Sequence, residues 1–280
     1  MVVWTEGKRV DIGDIVRQLI AEGWTDNLNG KPIPLDPSQL NIGLIALQRD
    51  GDNFPSPETL NYNQLIQKLS DRILETLHQY QRLVVEFIGL DLSGKTVMRE
   101  KVVQNIEPRS GPMPAYFDLS GYLLPREERI RQEITPYHPE AFNAIKAGDD
   151  IQTLLERGRV EIPDYKNGRV EGSSVVIGDF VITDEPWSLH LPFLDNVAYL
   201  FFYALANDAL RLERKRERDR TRYHDPSFIY TDFLWKVRDF LAFLAPRVQN
   251  LANIAVETSN LPDTVTVYTF RDNVLLPQTR

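Results

Sequence analysis

The chain has 280 residues, which is enough for one large α/β domain with an extension or for two small domains. Its formal net charge is −8, which disfavours nucleic acid as a partner because phosphate backbones favour basic surfaces. It has no cysteine, which excludes disulfides, thiolate nucleophiles and cysteine-ligated zinc. The first residues lack the pattern of a signal peptide, and no apolar run approaches the roughly 20 residues that span a bilayer. We therefore expect a cytoplasmic protein with no membrane partner.

Residues 1–60 are predicted to form an N-terminal extension, and residues 61–280 the main domain. Within the extension, short apolar stretches predict strands at 2–4 and 42–47, and an amphipathic pattern predicts a helix at 12–21. None of these segments carries recognisable chemistry, so the role of the extension stays open.

The main domain alternates helical patterns with short, nearly continuous apolar runs. Such runs are typical of parallel strands covered on both faces, and their alternation with helices predicts βαβ units. We therefore expect an α/β fold with a mostly parallel five-stranded sheet and helices on both faces. The strands are predicted at 83–88, 114–118, 174–180, 198–203 and 253–257, and the helices at 62–80, 97–106, 126–135, 141–157, 208–222 and 228–250.

Two segments depart from this alternation. Residues 159–163 and 169–171 flank the turn sequence Lys166-Asn167-Gly168, which predicts a β-hairpin. Residues 197–222 fit either one long helix or a strand followed by a helix. We prefer the second, because a single helix would carry apolar side chains all round its first half.

The sequence GLDLSGKT at residues 89–96 fits the pattern G-x-x-x-x-G-K-[ST] of a phosphate-binding P-loop. In such a loop the backbone N–H groups hold phosphates, the lysine reaches the terminal phosphates and the threonine ligates Mg²⁺. An apolar strand before the loop and a helical pattern after it supply the required context. The alternative is a β-hairpin that turns at Ser93 and Gly94. The residues predicted to contact nucleotide are Gly89, Asp91, Ser93, Gly94, Lys95 and Thr96.

Five further segments resemble, in chain order, motifs of the uridine kinase and phosphoribulokinase family. They are YFDLSGYLLPREER from Tyr116, HPEAFN from His138, LLERGRVEIPDY from Leu154, VVIGDFV from Val175 and RLERKRERD from Arg211. The resemblance covers residues 82–256. It implies a P-loop kinase fold, ATP and Mg²⁺ as cofactors, and transfer of a phosphoryl group to a hydroxyl of a small-molecule acceptor.

The resemblance implies that Asp118 is the general base, or the group that orients the acceptor hydroxyl. Phosphoryl transfer depends on positioning and charge neutralisation, with one carboxylate accepting the hydroxyl proton. Three residues separate Asp118 from Tyr122, one more than the family pattern has. Ser120 is therefore an alternative hydrogen-bond partner for the hydroxyl.

The resemblance also implies a carboxylate that holds Mg²⁺ together with Thr96. Ligands of parallel α/β sheets bind beyond the carboxyl ends of the strands, which favours Asp179 at the end of the predicted third strand. Asp184, which Glu185 follows, fits the same description and stays an alternative.

A helix over residues 208–222 would gather five basic side chains within an arc of about 100°. They are Arg211, Arg214, Lys215, Arg218 and Arg222. The resemblance assigns this helix to a lid over ATP, in which Arg214 and Arg218 act on the transferring phosphoryl group. Arg211 and Lys215 would bind the nucleotide. A solvated helix face with ion pairs along it is the alternative.

Tyr122, His138, Tyr165 and Arg169 fall on positions that bind the acceptor in the family. Tyr137 precedes His138 where the family commonly has an aspartate, and the hairpin turn before Arg169 is short. The identity of the acceptor therefore stays unassigned, and so does homo-oligomerisation.

Two other functions stay open. Leu92 stands where kinases of this type usually carry glycine, so the chain could be a degenerate P-loop domain that serves as a nucleotide-binding or interaction module. The residues Pro163, Asp164, Glu213 and Lys215 also fit a nuclease motif. The predicted helical position of Glu213 and Lys215 disfavours that motif.

Overall fold

The computed structural model describes residues 2–5, 8–11, 47, 55–109, 111–166, 168–220, 226–260, 263–271 and 274–276. The predicted helix at 12–21 and all but the last residue of the predicted strand at 42–47 lie outside this part of the chain. The predicted strand at 2–4 is confirmed as β1 (Val2–Thr5), which pairs antiparallel with β2 (Lys8–Asp11).

The remaining strands are β3 (Glu58–Leu60), β4 (Leu83–Ile88), β5 (Pro114–Tyr116), β6 (Arg159–Lys166), β7 (Arg169–Ile177), β8 (Phe180–Thr183), β9 (Ala198–Leu205), β10 (Ile254–Glu257) and β11 (Val265–Thr269). The helices are α1 (Tyr62–Gln79), α2 (Lys95–Ile106), α3 (Arg126–Arg131), α4 (Ala144–Arg157), α5 (Asp208–Asp219), α6 (Pro226–Asp239) and α7 (Ala245–Leu251). A π-helical stretch, Phe240–Leu244, joins α6 to α7. Short 3₁₀ turns occur at Glu107–Arg109, Leu119–Tyr122, Pro139–Ala141 and Pro186–His190.

Within the described residues, the main sheet has seven strands in the order β3-β11-β10-β9-β4-β8-β5. The five strands from β10 to β5 are parallel, which confirms the predicted α/β fold. Two antiparallel strands that were not predicted, β11 and β3, extend one edge. Because β4 lies between β9 and β8, the loop that follows β4 lies at the centre of the carboxyl edge, where ligands of such sheets bind.

The central strand β4 supplies both hydrophobic cores. All six of its residues are buried. Alternate residues such as Val84 and Ile88 pack in the core that contains side chains of α4 and α6, whereas Val85 and Phe87 pack in the core that contains side chains of α1 and α2. Helices therefore cover both faces of the sheet, as the continuous apolar run predicts.

The predicted third strand at 174–180 is wrong. Residues 174–177 extend the second strand of the hairpin, β7, which pairs with β6 along its length, and the sheet strand β8 begins only at Phe180. Between them the chain passes close to β5, because a Cβ on Gly178 would lie 2.6 Å from the Cβ of Ala115. The carboxyl end of the third strand is therefore followed by Asp184 and not by Asp179.

Other elements differ from prediction mainly at their ends. Helix α4 begins three residues later than predicted because Asn143 caps it, accepting a hydrogen bond from the backbone N of Lys146 at 3.1 Å. The segment at 197–222 is a strand followed by a helix, as preferred, since β9 ends at Leu205 and α5 begins at Asp208.

Candidate active site

The loop at residues 89–94 joins β4 to α2. Gly89 has no room for a side chain, because a Cβ there would lie 2.2 Å from the carbonyl oxygen of Ala204 in β9. Gly94 has a left-handed φ of 90° and leads directly into α2, whose first N–H groups have no partner within the helix. This strand–loop–helix unit is the context that the P-loop motif requires, and the hairpin alternative for residues 89–104 is wrong.

Leu92 and Ser93 distinguish this loop. Leu92 has a left-handed φ of 66°, a conformation that costs a residue with a Cβ about 1–2 kcal/mol and that glycine adopts freely. The Oγ of Ser93 is buried and has no hydrogen-bond partner among the described residues. Buried polar groups normally have a partner, so this hydroxyl is an exception, and it lies in the loop that matches the P-loop motif.

Two side chains from other elements hold Asp91. The hydroxyl of Tyr137 donates to Oδ1 of Asp91 at 2.9 Å and accepts from the Asp91 backbone N at 3.0 Å. The Nζ of Lys236 in α6 lies 2.5 Å from Oδ2. Although burial opposes ionisation, the positive charges of Lys236, Lys95 and Arg218 hold the pKa of Asp91 well below its usual range. The loop therefore carries a carboxylate that is ionised at neutral pH.

Helix α5 places two arginines against the same loop. The Nε of Arg211 donates to the carbonyl oxygen of Asp91 at 2.9 Å, and Nη1 of Arg214 donates to that of Leu92 at 3.0 Å. Arg211 is also ion-paired with Asp208. The basic face of the predicted lid helix is therefore turned towards the P-loop, and these two arginines contact its backbone.

Lys215 and Arg218 do not face the loop in the same way. The Nζ of Lys215 is fully buried between the carboxylates of Asp219, at 2.8 Å, and Asp232, at 2.6 Å. Arg218 donates to Asp219 through Nε at 2.8 Å. These two ion pairs argue against the predicted contact of Lys215 with nucleotide and against its place in the nuclease motif. Arg222 lies outside the described residues.

Three carboxylates lie beyond the ends of two neighbouring strands, with Asp118 after β5 and with Asp184 and Glu185 after β8. Burial, together with the charges of Asp184 and Asp118, raises the pKa of Glu185 to about 8, and the ammonium of Lys95 opposes the rise. Such effects act at short range, so these groups share one site.

Asp118 and Glu185 are linked through Ser120. The backbone N of Ser120 donates to Oδ1 of Asp118 at 2.8 Å, and its hydroxyl lies 3.5 Å from Oε1 of Glu185. Asp118 thus caps the 3₁₀ turn at Leu119–Tyr122. In this structure Ser120 hydrogen-bonds to the two carboxylates, and its bond to the acceptor hydroxyl stays a prediction.

Asp184 is held firmly in place. Its Oδ1 accepts from the hydroxyl of Tyr116 at 3.0 Å, and its Oδ2 lies 3.6 Å from Nε of Arg99 in α2. The guanidinium of Arg99 lies over the Tyr116 ring, 4.0 Å from its centroid. Because Arg99 follows Thr96 by one turn of helix, this network links the end of β8 to the start of α2.

Asp179 lies at the opposite edge of the sheet. It precedes β8, and its Oδ2 accepts from the backbone N of Met113 at 2.7 Å, just before β5. Since β5 and β8 are parallel, this is their amino end, remote from the start of α2. The prediction that Asp179 binds metal with Thr96 is wrong, and the alternative, Asp184, occupies the required edge.

Tyr122 and His138 have structural roles. Tyr122 is buried, its ring stacks on that of Phe117, and its hydroxyl donates to Oδ2 of Asp150 at 2.8 Å. The Nδ1 of His138 accepts from the backbone N of Glu140 at 3.2 Å. The hydroxyl of Tyr122 and one of the two ring nitrogens of His138 are thus occupied, and the contact of each residue with an acceptor stays a prediction.

Tyr165 and Arg169 lie on the hairpin that follows α4. The hydroxyl of Tyr165 accepts from Nη2 of Arg129 at 3.1 Å, and Arg169 is exposed and pairs with Glu171 through Nε at 2.9 Å. The hairpin passes close to the turn after Asp118, since a Cβ on Gly121 would lie 2.1 Å from the carbonyl oxygen of Pro163. Tyr165 therefore stays a predicted acceptor contact, and Arg169 is too exposed to be a strong one.

Two solved structures share this architecture. One is a protein assigned as a fructose transport system kinase from Silicibacter sp. TM1040, which is 16% identical with a TM-score of 0.50 over 64% of this chain and 95% of its own. The other, the YGR205w protein, is 11% identical with a TM-score of 0.53 over 74% of this chain and 97% of its own. The chain has the P-loop kinase fold. No protein-family model and no curated protein matches the sequence.

The sequence did not identify the residues of this P-loop kinase fold that bind and position the predicted site residues. Tyr137 and Lys236 reach Asp91 from 46 and 145 residues away in the chain. Arg99 and Tyr116 hold Asp184. A sequence pattern does not show such long-range pairs, and the only hint was that Tyr137 replaces an aspartate that the family commonly carries.

The described residues also bear on the requirements of a metal site and of a membrane-spanning helix. Among the described residues, no group of three or more His, Asp or Glu side chains is arranged to hold a metal ion. No described helix is both long enough and apolar enough to cross a membrane.

Proposed function

We propose that the protein is an ATP-dependent phosphotransferase that phosphorylates a hydroxyl group of a small molecule. The observation that supports this most is the P-loop unit itself, with Lys95 at the start of α2 close enough to Glu185 to act on its pKa, and with Asp118 linked to Glu185 through Ser120. A P-loop can hold the phosphates of a nucleotide. Carboxylates near its lysine can accept a hydrogen bond from the hydroxyl group of an acceptor.

The residues present fit a nucleotide phosphate chain with Mg²⁺. The unused hydroxyl of Ser93 and the free N–H groups at the start of α2 supply hydrogen bonds, and Lys95 supplies a cation. Thr96 and Asp184 would hold Mg²⁺, which keeps much of its coordination for water and phosphate oxygens and so needs few protein ligands. When bound, Mg²⁺ neutralises charge on the transferring phosphoryl group.

Either Glu185 or Asp118 takes the proton of the acceptor hydroxyl. A base is most effective when its pKa is near the working pH, and the pKa of Glu185 is raised to about 8. Asp118, implied by the family resemblance, has one oxygen engaged by the backbone N of Ser120. Each carboxylate is therefore substituted separately in the same experiment.

The test is ATP turnover in the presence of Mg²⁺ against a panel of sugars, nucleosides, glycerate and pantothenate. We expect one acceptor class to stimulate ADP release in the wild type. Glu185→Gln or Asp118→Asn should lower that rate by about 10² or more and leave the affinity for a non-hydrolysable ATP analogue unchanged. Asp149→Asn, at an exposed carboxylate on α4, is the matched control. Equal rates in all four proteins would refute the assignment of the base.

A nucleotide-binding module without catalysis is the second candidate. The left-handed Leu92 and the carboxylate of Asp91 favour it, because the first strains the loop and the second adds a negative charge to the loop that receives phosphate. It predicts that the ATP analogue binds but that no acceptor stimulates turnover. A protein that neither binds the analogue nor turns over ATP would contradict both candidates.

A further inference from the structure

Asp91 introduces a negative charge into a loop that, under the proposed function, receives negatively charged phosphates. We propose that Tyr137 and Lys236 are positioning residues that act through Asp91, fixing its carboxylate and neutralising it so that the P-loop can bind phosphate. Asp91, Tyr137 and Lys236 are called the Asp91 tether below. The inference rests on the proposed function and adds residues that the P-loop motif does not contain.

Tyr137 supplies the rigid part of the tether. Its ring is fully buried, with ring centroids 6.4 Å from Trp187 and 6.2 Å from Phe240, and its hydroxyl is bonded to both the backbone N and the carboxylate of Asp91. Because the ring has little freedom to move, the two hydrogen bonds fix the direction of the Asp91 side chain and of its peptide group. The N–H that Tyr137 engages is thereby withdrawn from phosphate binding.

Lys236 supplies the charge. Its Nζ is 2.5 Å from Oδ2 of Asp91 and 3.3 Å from Oδ2 of Asp232, and its side chain is mostly buried. Lys95 and Arg218 also help to stabilise the ionised Asp91, but Lys236 is the cation in direct contact with its carboxylate, and Arg218 binds Asp219. Without Lys236, the carboxylate would repel phosphate and draw Lys95 towards itself.

The Asp91 tether also restrains the backbone next to Leu92. The loop turns through a left-handed conformation at this residue, which a side chain disfavours, so an unrestrained loop would relax away from it. Asp91 is fixed on one side of this residue by the tether, and the carbonyl oxygens of Asp91 and Leu92 are bound by Arg211 and Arg214. The tether thus stabilises at Leu92 the left-handed conformation that a glycine at this position would adopt without strain.

The experiment compares Lys236→Met, Tyr137→Phe, Asp91→Asn and the double variant Asp91→Asn/Lys236→Met. Two quantities are measured: the affinity for a Mg²⁺-bound ATP analogue, and hydrogen exchange of the amides at residues 90–95 in the ligand-free protein. Lys101→Met, at an exposed lysine of α2 whose Nζ donates to Gln104, is the matched control. Tyr137→Phe keeps the buried ring, so it tests the tether even if Lys236→Met fails to fold.

We expect Lys236→Met to weaken analogue binding at least about tenfold and to speed amide exchange in the loop. The double variant should bind within about threefold of Asp91→Asn, because removing the carboxylate removes the need for its partner.

A double variant as weak as Lys236→Met would show that Lys236 contacts phosphate directly, which overturns the inference. Unchanged exchange and affinity in both Lys236→Met and Tyr137→Phe would also overturn it. Faster exchange in a protein whose wild type binds no analogue would support the tether and refute the proposed function.

Discussion

The pH dependence of stability above neutrality should depend on Glu185. Burial, reinforced by the charge of Asp184, raises the pKa of this carboxyl to about 8 in the folded protein, from an ordinary value of 4.5. Between these two values the folded protein holds a proton that the unfolded chain has lost. Stability therefore falls as the pH rises, until the carboxyl ionises in the folded state as well.

The magnitude follows from the position of this pKa. The free energy of unfolding falls by about 1.4 kcal/mol per pH unit while the folded carboxyl keeps its proton, and it levels off once the carboxyl ionises. Integrated from about pH 7 to about pH 9, the loss is about 1.4 kcal/mol, or roughly 3 °C in Tm for a chain of this size. Glu185→Gln has no proton to lose and should remove that part of the decline.

The assay is urea unfolding at about pH 7, 8 and 9 for the wild type, Glu185→Gln and Glu86→Gln. Glu86 is a buried carboxyl in β4 that accepts from Oγ of Ser188 at 2.5 Å, and burial raises its pKa to about 7. Its proton is therefore lost mainly below pH 8, so Glu86→Gln should flatten the curve at lower pH and leave most of the decline above it. Identical declines in the wild type and Glu185→Gln between pH 7 and pH 9 would refute the raised pKa of Glu185, and with it the burial that is its main cause.

Three other substitutions test the loop and the helix beside it. Gly89→Ala should abolish binding of an ATP analogue in calorimetry, because its Cβ would lie 2.2 Å from the Ala204 carbonyl oxygen; full affinity would contradict the loop geometry. Lys215→Met should cost about 3 kcal/mol in urea unfolding, because it takes a buried cation from the buried carboxylate of Asp219 and the partly buried one of Asp232, whereas a ligand-facing lysine would cost little. Arg214→Ala should weaken analogue binding about tenfold and change Tm by less than about 2 °C, since it loses one partly exposed hydrogen bond to Leu92; a large fall in Tm with full affinity would make its role structural.

The sequence predicted those parts of the fold that local pattern determines. The six apolar residues of β4, the loop that follows and the helix after Gly94 are adjacent in the chain, so their order alone identifies the unit. The third strand was misplaced because Val175 and Ile177 are exposed on the hairpin, where an apolar run is not evidence of burial. That error placed the metal ligand at Asp179, at the wrong edge of the sheet.

The candidate site was predictable only where a residue lies on the loop itself or follows a strand end. Helical geometry placed Arg211 and Lys215 on one face of α5, but it did not show that Asp219 and Asp232 enclose Lys215. Lys236 carries no motif, and its pairing with Asp91 depends on how α6 packs over the loop. Polar pairs of this kind are set by tertiary packing, so they are absent from any local pattern.

The central claim is that residues 89–96 bind the phosphates of a nucleotide, and Lys95 tests it most directly. Lys95 is 8% exposed and is the first residue of α2, where its side chain acts on both Asp91 and Glu185. Calorimetry with a Mg²⁺-bound, non-hydrolysable ATP analogue should give clear binding to the wild type and to Lys101→Met. Lys95→Ala, checked for an unchanged circular dichroism spectrum, should bind at least about 100-fold more weakly. Equal affinity in the wild type and Lys95→Ala would contradict the account.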